Sequence, residues 1–322
     1  MTGPMVTRRR WRWILVWVIL VVLVALAARG LDWPGVLGAL ARARPGWLVA
    51  AVLANASILF FATAEWMLFV PGGARVSWGT MFSIVAVTST ISNSGPLLTG
   101  HAAGIHLLAT RGGLGAAGGV SLTILDQIAE GLAKWTVLIL AASIVPDFEY
   151  RAAGMTIILG APALVIGFTV LARRRNFLDR LAGVARGWLG MVLRFVSQTV
   201  HRLDAIRQPG LFGLGVILAL AKKAAEALAI AAIALALGVD LLPWHVVAAL
   251  LAVNLGTMLS VTPANLGVYE GSLFLILRAA GVGADLALAV ALLSHIAYLL
   301  PLAGTGLTVE SLRLWRGLPY EG

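Results

Sequence analysis

Cysteine is absent from the 322 residues, and charged side chains make up only 12% of them. Without cysteine the chain has no disulfide, no thiol nucleophile and no cysteine-based metal site. So few charges cannot cover the surface of a soluble globular protein. Hydrophobic residues make up 60% of the sequence, and its mean hydropathy is +0.94. This composition indicates an integral membrane protein.

Acidic residues are the scarcer of the two charge signs, with 14 Asp and Glu against 24 Lys and Arg. In a soluble protein this excess would suggest nucleic-acid binding. Here the basic residues gather in short stretches between apolar runs, as they do in the cytoplasmic loops of membrane proteins. We therefore expect no nucleic-acid partner, and we expect a multi-pass protein of the inner (cytoplasmic) membrane.

Signatures of catalysis and of metal binding are also missing. The sequence contains no HExxH motif, no P-loop and no Ser/His/Asp grouping. His101 and His106 are five residues apart, so on a helix they would not face the same ion. We therefore expect no enzyme activity, no metal and no cofactor.

Long apolar runs predict a polytopic helical bundle. The first run, residues 14–28, could be a signal peptide, but its length favours a retained helix. A short segment at residues 34–44 predicts an interfacial helix. The other helix candidates are residues 46–70, 78–91, 114–144, 152–172, 210–237, 244–260 and 282–309.

Two further apolar segments, residues 92–109 and 261–280, are interrupted by Pro, Gly, Asn and Ser. They predict broken or re-entrant segments. Irregular backbone is tolerated at membrane depth only where protein buries it or where it lines a wet cavity, because unpaired N–H and C=O groups cost several kcal/mol in lipid.

The orientation follows from the distribution of arginine. Residues 173–209 hold eight Arg and two Asp, which predicts a basic cytoplasmic loop. Counting helices outward from this loop places both termini on the cytoplasmic side. Arg42 and Arg44 are the exceptions, because they fall on the outer side.

The two interrupted segments resemble one another. Pro96 and Gly100 precede Pro263 and Gly267 by the same 167 positions, and a long apolar helix follows in each case. The helix that leads into the first repeat, residues 46–70, is predicted to run from outside to inside, and its partner, residues 210–237, from inside to outside. The sequence therefore predicts two inverted repeats, residues 46–145 and 210–310, within one transmembrane domain. This construction recurs in transporters.

Ionisable residues interrupt two of the apolar helices. They are Asp126, Glu130 and Lys134 on one, and Lys222, Lys223 and Glu226 on the other. Spacings of four place the first three on one helix face, and they make Lys222 and Glu226 neighbours. One reading is that these are ion pairs that hold the bundle together. The other is a polar path, with Lys223 and Arg278 as spare cations for an anionic headgroup.

Glu270 lies at the start of the helical limb that follows the second break. A carboxylate at that position can cap the helix N-terminus. It can also act as a proton-coupling or substrate-coupling residue. Both readings stay open.

The motif TPANLGVYEGSLFLILRAAGV resembles the second-half signature of the lysylphosphatidylglycerol synthase transmembrane-region family, also called flippase-like membrane proteins. The matching residues are Pro263, Gly267 and Glu270 in the second half, and Asn93, Pro96, Gly100 and Arg111 in the first. The resemblance extends over nearly the whole chain.

The resemblance implies translocation of a lipid without its synthesis, since a chain ending at residue 322 leaves no room for the soluble aminoacyltransferase domain of larger members. The implied partner is a phospholipid, a hopanoid-type lipid or a polyprenyl-phosphate lipid. Two alternatives remain: a membrane scaffold that recruits a lipid-modifying enzyme, or an ion-coupled small-solute carrier. Homo-oligomerisation is also left open.

The candidate substrate-binding residues combine the motifs with the charges inside the membrane. They are Asn93, Pro96, Gly100, His101, Arg111, Asp126, Glu130, Lys134, Lys222, Lys223, Glu226, Pro263, Asn265, Gly267, Glu270 and Arg278.

Overall fold

A computed structural model describes residues 33–71, 73–95, 99–144, 187–201, 208–258 and 262–315. Within these ranges the chain forms α-helices and one 3₁₀ turn, and no strand occurs there. The helices are α1 (Trp33–Ala41), α2 (Pro45–Leu68), α3 (Trp78–Ser94), α4 (Thr99–Thr110), α5 (Gly115–Ile144), α6 (Gly187–His201), α7 (Pro209–Ala236), α8 (Pro243–Met258), α9 (Val268–Ala279) and α10 (Ala284–Trp315). The predicted all-α bundle is confirmed.

Helices α2, α5 and α10 are each long and apolar enough to cross a membrane. Helix α7 has 28 residues and would reach about 42 Å at 1.5 Å per residue. It has three charged residues close together near its middle, Lys222, Lys223 and Glu226. Large apolar side chains such as Leu53, Leu228 and Leu300 point out of the bundle. In a bilayer this outer surface faces lipid.

The helix starts follow ordinary capping chemistry. Pro45 opens α2 and Pro209 opens α7, at a position where the missing N–H has no intrahelical partner to lose. Ser77 caps α3, and its hydroxyl accepts a hydrogen bond from the Thr80 N–H at 3.1 Å.

The expected helices agree with the structure to within a few residues at most ends, although α10 runs on to Trp315. The predicted helices at residues 14–28 and 152–172 lie outside the described residues. The stretch at residues 173–209, expected as a loop, contains α6, which packs against α5. Its apolar Met191, Val192 and Phe195 are exposed beside Arg194, a pattern that suits the membrane surface.

Both interrupted segments contain a broken helix. In the first, α3 ends at Ser94 and α4 begins at Thr99, while Pro96 lies outside the described residues. In the second, the 3₁₀ turn Pro263–Asn265 separates α8 from α9. Asn265 has a positive φ of 55°, a left-handed conformation that asparagine tolerates better than most residues.

The same series of helices occurs twice. A long helix, a shorter one, a break, a 12-residue helix and a second long helix follow each other in α2 to α5 and again in α7 to α10. This order fits the predicted repeats, and their inverted relation stays a prediction.

The two halves are interlocked. Among the described elements, the most extensive helix packing joins α2 to α7, and the next joins α3 to α10. Thr90 Oγ1 on α3 donates to the Ala303 carbonyl oxygen on α10 at 2.8 Å. Close by, a Cβ on Gly306 would collide with Thr90 and with the Ala86 carbonyl. Helix α10 therefore needs glycine at this crossing.

The two largest apolar clusters of the described residues come mainly from one half each. Ala219 on α7 belongs to the cluster that contains Met81 and Leu122, and Ile230 on α7 belongs to the cluster that contains Leu273. The charged residues of α7 lie between these positions, so the ionic groups occupy the junction of the two clusters.

Candidate functional site

Lys222 lies at the centre of the buried charges. Its Nζ atom is 2.7 Å from Glu65 Oε2, 3.1 Å from Glu130 Oε2 and 3.7 Å from Asp126 Oδ1. Glu65 comes from α2, and the other two carboxylates come from α5. One ammonium group thus joins three helices.

Lys223 binds a different set of acids. Its Nζ atom lies 2.7 Å from Glu130 Oε1 and 2.7 Å from Glu226 Oε1. The other oxygen of Glu226 accepts a hydrogen bond from Asn254 Nδ2 on α8 at 3.1 Å. Glu130 bridges the two lysines.

Asp126 is held mainly by neutral donors. Trp66 Nε1 and Gln127 Nε2 each donate to the carboxylate at 2.9 Å. The result is one continuous network of buried polar groups. Isolated charges at this depth cost several kcal/mol each, so their mutual pairing is what makes the arrangement tolerable.

The expected pairing of Lys222 with Glu226 is wrong, and so is the reading of Lys223 as a spare cation. Adjacent residues on a helix point about 100° apart, at 3.6 residues per turn. Lys222 therefore turns toward Glu65 on α2, and Lys223 occupies the side where Glu226 lies. Helical spacing allowed either lysine to pair with Glu226, and the tertiary partner decides between them.

A cavity of about 360 Å³ opens beside this network. The predicted residues on its wall are Asn93, His101, Asp126, Glu130, Lys134, Lys222, Lys223, Glu226 and Asn265. Its volume lies in the range of about 300–1,000 Å³ that is usual for small-molecule sites. The wall draws on helices of both halves.

Lys134 differs from the other two lysines on the cavity wall. It is half-buried on α5, one turn beyond Glu130. Within the described chain it makes no hydrogen bond and no ion pair. The predicted stripe of Asp126, Glu130 and Lys134 thus faces the cavity along its length.

Glu270 lies beside the cavity and off its wall. Its Oε2 accepts a hydrogen bond from the Gly267 N–H at 2.8 Å, which caps α9, and its Oε1 lies 2.7 Å from His295 Nδ1 on α10. The Tyr269 ring stacks on His295 with centroids 4.4 Å apart. Tyr269 and Tyr298 line the cavity, so the Glu270–His295 pair is connected to the cavity through the Tyr269 ring.

Other predicted residues lie away from the cavity wall. Arg111 forms a two-bond ion pair with Glu310 on α10, at 3.1 and 3.0 Å. Arg278 is exposed and donates to the Val282 carbonyl oxygen at 2.6 Å. Gly100 packs against Ser92, where a Cβ would not fit. Pro263 and Gly267 shape the second break, and Pro96 lies outside the described residues.

Several members of the network are not among the residues predicted from the sequence. Glu65 is fully buried. It is a lone carboxylate inside an apolar run, and this feature of the sequence could have identified it as a member of the network. Asn254 and His295 carried a weaker signal, because an amide or an imidazole in an apolar helix has many possible partners. The described residues contain no group of three or more His, Cys, Asp or Glu suited to a metal ion.

A model of the family described as lysylphosphatidylglycerol synthase TM region matches residues 13–306. Among curated proteins, none matches the sequence.

Proposed function

Since this chain belongs to the lysylphosphatidylglycerol synthase TM region family, we propose that it moves a membrane lipid between the leaflets of the inner (cytoplasmic) membrane. The headgroup enters the central cavity, and the acyl chains stay in the surrounding bilayer. The proposal assigns no lipid synthesis to this chain.

One observation carries the proposal: a polar, charged cavity inside a bundle whose outer surface is apolar. A lipid headgroup crossing the bilayer loses its hydration, and burying polar groups without partners costs several kcal/mol. The wall of the cavity offers ammonium, carboxylate, amide and hydroxyl groups that replace lost water contacts. A cavity of about 360 Å³ suits a headgroup and excludes two acyl chains.

The cavity also favours translocation over the scaffold alternative. A bundle that only recruits a lipid-modifying enzyme gains nothing from an internal cavity or from an ammonium group without a carboxylate partner. Lys134 forms no direct ion pair among the described residues, and Glu130 and Glu226 attract it only from a longer distance. A carrier of small solutes would use similar chemistry, so the experiment must separate lipid from solute.

The decisive experiment reconstitutes the full chain in sealed vesicles with a panel of labelled lipids. The panel holds a phospholipid, a hopanoid-type lipid and a polyprenyl phosphate. The measured quantity is the rate at which the labelled lipid moves to, or disappears from, the side of the membrane on which the label is detected. We expect faster movement of at least one lipid than in protein-free vesicles. A matched assay with water-soluble headgroup analogues tests the carrier alternative. If only the soluble analogues move, lipid translocation is the wrong function.

A further inference from the structure

Helix α10 packs with both halves of the bundle and changes partners along its length. Before Pro301, its buried residues Val290 and Ala297 belong to the apolar cluster of the second half, the one that contains Leu273. After Pro301, it contacts helices of the first half through a hydrogen bond, a close helix crossing and an ion pair.

These three contacts hold the later segment of α10 against α3 and the end of α4. Thr90 Oγ1 donates to the Ala303 carbonyl oxygen at 2.8 Å, and a Cβ on Gly306 would collide with the same threonine. About one helical turn further on, the Arg111 guanidinium donates to both carboxylate oxygens of Glu310, at 3.1 and 3.0 Å. An arginine–carboxylate pair with two hydrogen bonds is strong and directional. This segment is therefore attached to the first half, although it belongs to the second half in sequence.

Pro301 lies where α10 changes partners, at the level of the cavity. Its neighbours Tyr298 and Leu302 line the cavity. Proline has no N–H to donate to the carbonyl of Ala297, four residues earlier, so the hydrogen bonds of the helix are interrupted there. Sharp bends in helices occur at such positions. A weak point of α10 therefore coincides with the border between the two halves.

We propose that Pro301 is the hinge of α10. The segment before it moves with the second half, and the segment after it moves with the first half, to which Arg111 and Glu310 hold it. Transporters built from two related halves expose a central site to each side in turn as one half rocks against the other. A straight helix shared by both halves would resist that motion, and a bend at Pro301 allows it. This inference rests on the proposed lipid translocation and assigns the positioning residues that let the halves move.

The first test replaces the proline in the full chain, reconstituted in vesicles with the lipid that the unaltered chain moves. Pro301→Ala restores the missing hydrogen-bond donor and should slow translocation about tenfold or more, because the straight helix becomes the favoured form. Pro301→Gly keeps a weak point in the helix and should retain most of the rate, although it should lower the unfolding temperature more than alanine does. Gly304→Ala is the matched control, since it strengthens the same helix in open space and should leave the rate unchanged.

The comparison of rate with stability separates a hinge from a structural proline. A structural role predicts that the less stable glycine variant is also the slower one. An unchanged rate in Pro301→Ala, a Pro301→Gly rate no higher than that of Pro301→Ala, or an equal loss in Gly304→Ala would overturn the inference while lipid translocation stands.

A second measurement follows the motion without transport. The chain has no cysteine, so spin labels can be attached to introduced pairs of cysteines, and pulsed electron paramagnetic resonance gives the distances between them. Trp78 on α3, Leu275 on α9 and Leu307 on α10 are exposed positions for labels. The distance from Leu307→Cys to Trp78→Cys should have one narrow distribution. The distance from Leu307→Cys to Leu275→Cys should have a broad distribution, which Pro301→Ala narrows.

The distances also test the attachment of α10 to the first half. Arg111→Gln should broaden the distribution between Leu307→Cys and Trp78→Cys, because it removes both hydrogen bonds to Glu310. Narrow distributions for both label pairs in the unaltered chain, or broad ones for both, would overturn the hinge. The expected distributions without movement of any lipid would keep the hinge and reject the proposed translocation. Narrow distributions for both pairs, together with no lipid movement, would reject the two proposals together.

Discussion

At the scale of single residues, two neighbouring lysines hold different parts of the bundle. Lys222 faces Glu65 and the α5 acids, and Lys223 ties Glu130 to Glu226. Their assignments cannot be exchanged, because the two side chains leave the helix in directions about 100° apart. A substitution at either position therefore leaves a particular carboxylate without its cation.

Lys222→Met is expected to destabilise the chain by about 3–5 kcal/mol, because it leaves Glu65 buried without a cation. Lys222→Met combined with Glu65→Leu should recover much of that loss, since both charges of the contact are then gone. Thermal unfolding in detergent measures the difference.

The control is the combination of Lys222→Met with Glu226→Leu. Glu226 pairs with Lys223 and not with Lys222, so this double variant should recover nothing. Equal recovery in the two double variants would contradict the pairing described above.

The Glu270 carboxylate caps α9 and also contacts His295, and substitutions can separate these two roles. Glu270→Gln keeps an acceptor for the Gly267 N–H and should cost about 1 kcal/mol or less. Glu270→Ala loses the cap and the His295 contact, and should cost about 2–3 kcal/mol. Unfolding temperatures compare the two. Equal losses would mean that the carboxylate charge beside His295 matters more than the cap.

The residues show what a sequence can and cannot reveal about such a site. Spacings of four placed Asp126, Glu130 and Lys134 on one face, and the cavity lies along that face. The partner of Lys222 could not be predicted in this way, because spacing along one helix says nothing about which other helix approaches it. Glu65 was missed as a partner for the same reason: it is 157 positions away in the chain.

At the scale of elements, the breaks were predictable and the contacts between helices were not. Proline, glycine and asparagine within apolar runs placed both interruptions near the ends of α3 and α8. The pairing of α3 with α10 depends on Gly306, one of 36 glycines, and nothing in the sequence distinguishes it from the others.

Gly306→Ala should destabilise the chain by about 1–3 kcal/mol, because the added methyl group meets Thr90 and the Ala86 carbonyl. Gly304→Ala on the same helix is the matched control, since no atom lies within 4 Å of a Cβ there. That control should be neutral or slightly stabilising, as alanine favours helix over glycine. Thermal unfolding of the two variants gives the comparison, and equal effects would argue against a close α3–α10 crossing.

Arg111 and Arg278 occupy matching positions in the two halves, 167 residues apart, yet only Arg111 has an ion pair in the described structure. Arg111→Gln breaks both bonds to partly buried Glu310 and should cost about 1–3 kcal/mol. Arg278→Gln, at an exposed site, should change stability by about 0.5 kcal/mol or less. Denaturation in detergent tests both. A charge exchange, Arg111→Glu with Glu310→Arg, should recover part of the loss, and a complete failure to recover would show that the orientation of the pair matters.

At the scale of the whole molecule, the orientation in the membrane is open to a direct test. Arg194 on α6 and Asp240 after α7 are both exposed, and α7 separates them. The absence of cysteine makes Arg194→Cys and Asp240→Cys the single thiols of their variants. A membrane-impermeant maleimide should label Arg194→Cys from the cytoplasmic side and Asp240→Cys from the opposite side. Labelling of both from one side would reject the predicted topology.

The division of charge between the halves has a consequence for biosynthesis. The first half supplies Glu65, Asp126 and Glu130, and the lysines that pair with them arrive only with α7. At translation rates of about 5–20 residues per second, the acids of α5 precede those lysines by roughly 5–20 seconds. Carboxylates are costly inside lipid without partners. We therefore expect helices α2 and α5 to stay near water or near the insertion machinery until α7 emerges, and the last step of membrane integration to wait for the second half.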